Sequence, residues 1–311
     1  MIFDWQAKYP IKNEADITNL TKGLGIYKPM SIDSCVQLLA QAMVSDAKSF
    51  AQAGDRRSDS GLKVLVHRKH FNQLIAERRE QMISLNLLQP NIDLNLFPVG
   101  SWLLQINFIL AKPYISKDDE AFYIIDNPVK KEKVFRVPYV SASTWKGNLR
   151  EALRLNFELK SEGKDEDEKI RLRKDEDEKT RLLMGNERNA EEKFRAGRLH
   201  FFPTYFDQID LEVINPHERI SGAGKLPIYL EVVPKDSKGT FRLLYVPFDQ
   251  LHESDETRCQ HAWALLAELQ EAMKFLLLDL GIAAKKSSGF GVAAMRPPNV
   301  SRKEVTGVTN E

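Results

Sequence analysis

VPYVSASTWKGNLREALR, residues 137–154, runs from a short apolar segment through a Ser-Ala-Ser-Thr turn into a helix. Hydroxyl side chains accept from the unpaired N–H groups of a first helical turn, so the helix is predicted to begin near Ser143 or Thr144. Trp145, Leu149, Leu153 and Phe157 then recur at helical spacing. The first turn holds Lys146 and Gly147. A helix N-terminus offers free N–H groups and a positive dipole end, glycine lets a backbone come close, and lysine adds a mobile charge, so a phosphate suits this place. The same residues also suit a plain capped helix with Trp145 in the core and Lys146 in solvent.

Outward from this helix, strands and helices alternate. Ser101–Leu110 reads as a strand before it, followed by an irregular polar segment, 112–127, that carries Asp118, Asp119, Glu120 and Asp126. Strands are expected at 198–202, 227–233 and 240–247, a long apolar helix at 258–280 ending at Gly281, and a last strand at 290–296. The strongest elements give strand, helix, strand, strand, helix, strand, the split βαβ order of an α+β, ferredoxin-like (RRM-like) fold.

Residues 1–98 read as a helical N-terminal unit. Ile32, Val36, Leu39, Met43, Ala47 and Phe50 share one face of an amphipathic helix over 31–54, with Gly54 as its stop, and a second helix starts near Phe71. The ferredoxin-like domain is expected over 99–298, and 299–311 as a tail. A charged helical insertion at 161–181 contains a tandem repeat, KDEDEKIRLR (164–173) and KDEDEKTRLL (174–183). Asp165 with Lys169, Asp167 with Arg171, Asp175 with Lys179 and Asp177 with Arg181 are acid-before-base pairs four apart, worth ~0.2–0.5 kcal/mol each on an exposed helix.

Near the other end, LGIAAKKSSGFGVA (280–293) places Lys285, Lys286, Ser287 and Ser288 between Gly281, Gly289 and Gly291. Glycine permits positive φ, and successive N–H groups, hydroxyls and lysines suit a phosphodiester chain. A helix cap followed by a flexible turn has the same composition. With 311 residues and a net charge of +1, the chain has no basic excess, so any nucleic-acid site must come from local clustering. The two cysteines, Cys35 and Cys259, are too few and too far apart for a disulfide framework or a zinc cage. No apolar run reaches the ~18–20 residues of a membrane span, and the start lacks a secretory pattern, so a cytoplasmic protein is expected. His67 and His70 read as surface histidines, and His200 and His217 as structural or RNA-adjacent.

Four blocks in this order resemble the RAMP superfamily, whose members build type III CRISPR effectors. Ile125-Asp126-Asn127-Pro128-Val129 looks like the Asp-x-Pro-Val stretch of the backbone subunits, and Pro138–Arg150 like their Lys-Gly helix start. Leu183-Met184-Gly185-Asn186 with Ala196-Gly197-Arg198-Leu199 resembles their Phe-Gly-Asn and Gly-Arg-Leu blocks, and Gly281–Gly291 their C-terminal Gly-rich loop. The family's glycine pair after the first strand is replaced by AKPYISKDDEAFY, and Ala142, Ala283 and Ala284 stand at usual glycine positions. The resemblance implies binding of a CRISPR guide RNA (crRNA) in an antiviral ribonucleoprotein, with complementary target RNA and other effector subunits as partners. It implies RNA contacts at Ser143, Lys146, Gly147, Arg150, Lys285, Lys286, Ser287, Ser288, Gly289 and Gly291. It also leaves two roles open. One is a subunit in which Asp126 cleaves target RNA with Mg²⁺ or Mn²⁺. The other is a non-catalytic end-capping subunit.

Overall fold

The computed structural model describes residues 5–28, 30–54, 60–67, 70–118, 123–186, 196–215, 227–305 and 307–310. Its helices are α1 (Trp5–Lys8), α2 (Glu14–Lys22), α3 (Ile32–Leu39), α4 (Lys48–Ala53), α5 (Gly61–His67), α6 (His70–Ser84), α7 (Ala142–Lys160), α8 (Glu166–Met184) and α9 (Asp255–Phe275). Its strands are β1 (Trp102–Leu110), β2 (Tyr139–Val140), β3 (Leu199–Phe201), β4 (Thr204–Tyr205), β5 (Asp210–Ile214), β6 (Ile228–Val232), β7 (Lys238–Tyr245), β8 (Ala293–Met295), β9 (Asn299–Glu304) and β10 (Gly307–Asn310). These fall into two compact units, one of residues 1–88, 113–138 and 206–237, the other of 89–112, 139–205 and 238–311.

In the second unit, strands run in the order β10-β9-β1-β7-β3, with β8 also paired to β1. β1 is the hub, antiparallel to β7, β8 and β9. Its alternation buries Trp102, Leu104, Ile106, Phe108 and Leu110. That face is covered by helices: the Trp102 indole donates to Ala262 O of α9 at 3.2 Å, and Phe108 meets Trp145 of α7 edge-on at 6.0 Å between ring centroids. Leu103 points the other way, into a smaller cluster with Leu94, Leu244 and Val246. Residues expected to form a tail are β9 and β10, because Val300 is buried on the sheet, β9 pairs in register with β1 and β10 pairs with β9.

The first unit packs α2–α6 with the β5–β6 pair. Asn13 caps α2 in a reciprocal box with Asp16, and Gly23 ends it with left-handed backbone. The single helix expected over 31–54 is instead broken. α3 passes into a 3₁₀ turn, Ala40–Val44, and Ser45 is extended, its hydroxyl donating to Ala42 O at 3.0 Å before α4 begins. A serine that satisfies a carbonyl in this way competes with the next helical turn, and Val44, 98% exposed, marks where the apolar face is lost. Gly54 is the stop, as expected. The strand expected at 227–233 forms as β6, but it pairs with β5 here and is no part of the main sheet.

The charged repeat is helical, as α8, though with other partners than those expected. Asp165 caps the helix by accepting from Glu168 N, Lys169 pairs with Glu166 at 3.0 Å, and Lys179 reaches Glu268 of α9. Among the described residues no helix is long and apolar enough to cross a membrane. Cys35 and Cys259 are both free.

Candidate nucleic-acid interface

In the second unit, β2 delivers the chain to Ser141, and that residue is the cap: its hydroxyl accepts from Thr144 N at 3.2 Å, so α7 starts at Ala142, slightly before the expected point. Ser143 is exposed and shares a 2.9 Å hydrogen bond with Ser141 Oγ. Trp145 is fully buried, its indole donating to Thr204 Oγ1 at 3.0 Å, which fixes the rotation of the helix. That rotation leaves Gly147 and Arg150 exposed and Lys146 half-buried. Burial first, and the Arg150 charge one turn on, push the Lys146 ammonium below its usual range. Neither Lys146 nor Arg150 has a carboxylate partner among the described residues. An added Cβ at Gly147 would meet nothing within 4 Å, so packing does not require glycine there.

The 281–291 loop lies against the same helix. Asn148 of α7 donates to Ile282 O at 3.3 Å, and Glu151, on the next turn of α7, acts electrostatically on Lys286. Burial lowers the Lys286 pKa and Glu151 opposes that shift. The loop is pinched at its base, where Ile282 N donates to Gly291 O at 3.1 Å. Both flanking glycines have φ +77°, and a Cβ would fall 2.5 Å from Phe290 O at Gly281 and 2.5 Å from Ala283 N at Gly291. Both glycines thus close the loop, and Gly291, expected to touch RNA, is buried. Within the loop Lys285 is left-handed at φ +60°, a conformation that costs a non-glycine residue roughly 1–2 kcal/mol. Lys285, Ser287 and Ser288 are exposed, and Lys286 and Gly289 are half-buried.

Sequence reasoning missed one member of this cluster. Lys112, just past the end of β1, extends its ammonium to Ser288 O at 3.4 Å and would crowd any side chain at Gly289. Its signal was a cation where the central strand ends. Three chain segments thus bring Lys112, Lys146, Arg150, Lys285 and Lys286 to one capped helix and its adjoining loop. The Gly-Asn and Gly-Arg-Leu blocks also meet in this unit, through a Gly185–Ala196 bridge and an Arg198 N to Leu182 O hydrogen bond of 3.2 Å.

Asp126 belongs to the first unit. It is 52% exposed, and both its carboxylate oxygens accept from Lys48 Nζ, at 2.8 and 3.0 Å. Its loop is held from below by Glu231, which is fully buried and was not singled out from the sequence. Tyr123 Oη donates to it at 2.5 Å, Val129 N at 3.0 Å, and the buried Lys131 ammonium pairs with it. Asp118 accepts from Lys131 N at 3.2 Å and so serves the loop's own shape. Asp119, Glu120 and His217 lie outside the described residues, as do the side chains of His67 and His70; His200 is in β3. Among the described residues no three His, Cys, Asp or Glu side chains gather as a metal ion would need. Asp126, one carboxylate already holding an ammonium on both oxygens, does not by itself compose a divalent-ion site.

A family model described as the RAMP superfamily matches residues 56–294. The chain belongs to the RAMP superfamily. No curated protein sequence matches it. Among solved structures, a chain in the cryo-EM structure of the Type III-B Cmr-beta bound to cognate target RNA is similar in fold, with a TM-score of 0.53 and 14% identity over 93% of this chain and 99% of that one. A chain of a CRISPR RNA-guided surveillance complex aligns over 64% of this RAMP protein and 68% of its own length at 14% identity, with a TM-score of only 0.38.

Proposed function

We propose that this RAMP protein is a crRNA-binding subunit of a type III CRISPR effector, holding the guide's sugar-phosphate backbone with the start of α7 and the 281–291 loop. The observation that carries the reading is the convergence of five cations, Lys112, Lys146, Arg150, Lys285 and Lys286, on one capped helix start and the loop tied to it. Phosphate contacts of this kind position a strand without reading its sequence. Two further observations support it. The sheet order with β1 between β7 and β8, and helices α7 and α9 on one face, suits a ferredoxin-like core, and the chain of similar fold comes from a structure of Cmr-beta bound to cognate target RNA.

The test is RNA binding by Lys146→Ala and by the Lys285→Ala/Lys286→Ala pair. Each is expected to weaken binding across all sequences and to lower the slope of log affinity against log salt by about 0.7 for each phosphate no longer neutralised. Unchanged affinity and slope in both variants would remove these residues from the RNA path.

Between a subunit that cleaves target RNA through Asp126 and one that caps the assembly without cleaving, the Lys48 ion pair favours the cap. Lys48 donates to both Asp126 oxygens, so activating a ribose 2′-hydroxyl or holding a metal would have to compete with its charge for the same carboxylate. Stoichiometry in the purified complex tests this reading: one copy per particle is expected, and several copies with cutting at regular intervals would overturn it.

A further inference from the structure

Between α7 and α8 lies a cleft of about 260 Å³. That is just under the ~300–1,000 Å³ of pockets for drug-sized ligands, which suits a single small ligand and not a chain. Its lining combines three chemistries. Phe157, half-buried, supplies an aromatic surface; Arg150 and Arg173 supply cations; Glu176 and Asp177 supply carboxylates. The other cations are engaged already, Arg154 with Glu151 and Glu158, and Lys169 with Glu166. Arg150 and Arg173 have no carboxylate partner among the described residues, so two guanidiniums remain to meet an anion. Arg150 also belongs to the candidate RNA grip, which makes the cleft continuous with it.

An aromatic ring, unpaired guanidiniums and adjacent carboxylates form the set that recognises base, phosphate and Watson–Crick edge of one nucleotide. We propose that the cleft binds one guanine nucleotide, its base against Phe157, its phosphate at Arg150 and Arg173, and its edge at Glu176 and Asp177. Guanine is the base selected because a carboxylate only accepts hydrogen bonds, and guanine presents ring N1–H and amino N2–H side by side. Adenine presents one amino group next to an acceptor, which a carboxylate repels. Burial first, with the Glu268 and Asp177 charges adding to it and Lys179, 4.0 Å away, opposing it, holds the Glu176 carboxyl above its usual range. The nucleotide is either a base of the bound strand turned into the cleft or a free nucleotide, and in the first case the inference rests on the RNA-binding reading above.

The full chain is titrated with GMP and AMP by calorimetry at fixed salt. Saturable GMP binding is expected, with AMP at least about tenfold weaker, since a missing or repelled charge-assisted hydrogen bond costs about that much. Arg173→Ala is expected to weaken GMP by about tenfold or more, and Glu176→Gln/Asp177→Asn to erase the preference for GMP over AMP. Competition between GMP and a bound single-stranded RNA containing guanosine assigns the site to the strand; undiminished GMP binding to the RNA-loaded protein assigns it to a free nucleotide. No GMP binding by the wild-type chain, or equal GMP binding by Arg173→Ala, overturns the inference. Failure of the RNA reading is seen separately, as unchanged RNA affinity in Lys285→Ala/Lys286→Ala.

Discussion

Glu231→Ala is expected to be among the most damaging single substitutions in the first unit. The carboxylate is fully buried and accepts from Tyr123 Oη, Val129 N and the buried Lys131 ammonium, whose charge also lies 4.6 Å from the Tyr123 ring centroid. Truncation leaves an ammonium, a hydroxyl and a backbone N–H without their acceptor. Breaking a buried pair by removing one partner costs about 3–5 kcal/mol, mostly through the charge left behind. Replacing both partners, as Glu231→Leu/Lys131→Met, removes that charge and is expected to recover most of the loss. Urea unfolding followed by circular dichroism measures the global cost, and amide exchange over 123–131 measures the local one. If Glu231→Ala stays within about 1 kcal/mol of wild type and those amides keep their protection, the Glu231 cluster does not hold this loop, because an exposed pair would give only that much.

Gly147→Ala is expected to stabilise α7 by about 0.8–1.0 kcal/mol, because its Cβ meets nothing, and yet to weaken RNA binding if a backbone passes over that spot; thermal melting and RNA titration should move in opposite directions. Lys146 and Lys286 have lowered pKa values, so RNA affinity should begin to fall at a pH below the ordinary lysine value of 10.5, and Lys146→Arg/Lys286→Arg should hold affinity to higher pH. Over the same interval the unfolded chain keeps protons that the folded chain has released, so stability rises with pH as buried charge is relieved, an effect visible in denaturant titrations at increasing pH. Asp126→Ala removes a pair between an exposed carboxylate and a half-buried lysine near the surface and should cost ~0–1 kcal/mol. In the assembled complex with Mg²⁺ or Mn²⁺ and complementary RNA it should leave the cutting pattern unchanged, and loss of cuts would restore Asp126 as the cleaving residue.

The elements with strong local signals were legible in the sequence. Trp145, Leu149 and Leu153 announce α7, and the alternation of Trp102–Leu110 announces β1, because burial on one face repeats at the period of the backbone. Partner choice was not legible. IYLEV and FRLLY are equally strand-like, yet one pairs with β5 and the other with β1, since strand propensity reports fit to a half-buried surface and not which surface. The site divides the same way. Lys146 and the 285–288 run stand out by their neighbours, whereas Lys112 joins them only through a hydrogen bond to a residue 176 positions away. Glu231 looks like one polar residue in an apolar strand, and its three partners lie 100 or more residues distant in sequence. The Lys48–Asp126 pair spans 78 residues.

The pinch at Gly281 and Gly291 makes the segment between them a closed ring hung from a narrow neck. The neck connects α9 to β8, and what happens inside the ring is mechanically separate from both. Residues added near Ala284, which is exposed, would enlarge the ring without altering the distance between helix and strand. Loop-closure entropy grows only as the logarithm of length, so doubling the ring costs about 0.6 kcal/mol. The reach of this loop toward a ligand can thus change by insertion while the sheet keeps its register. A reporter peptide inserted there would sit beside the candidate interface in a protein that still folds.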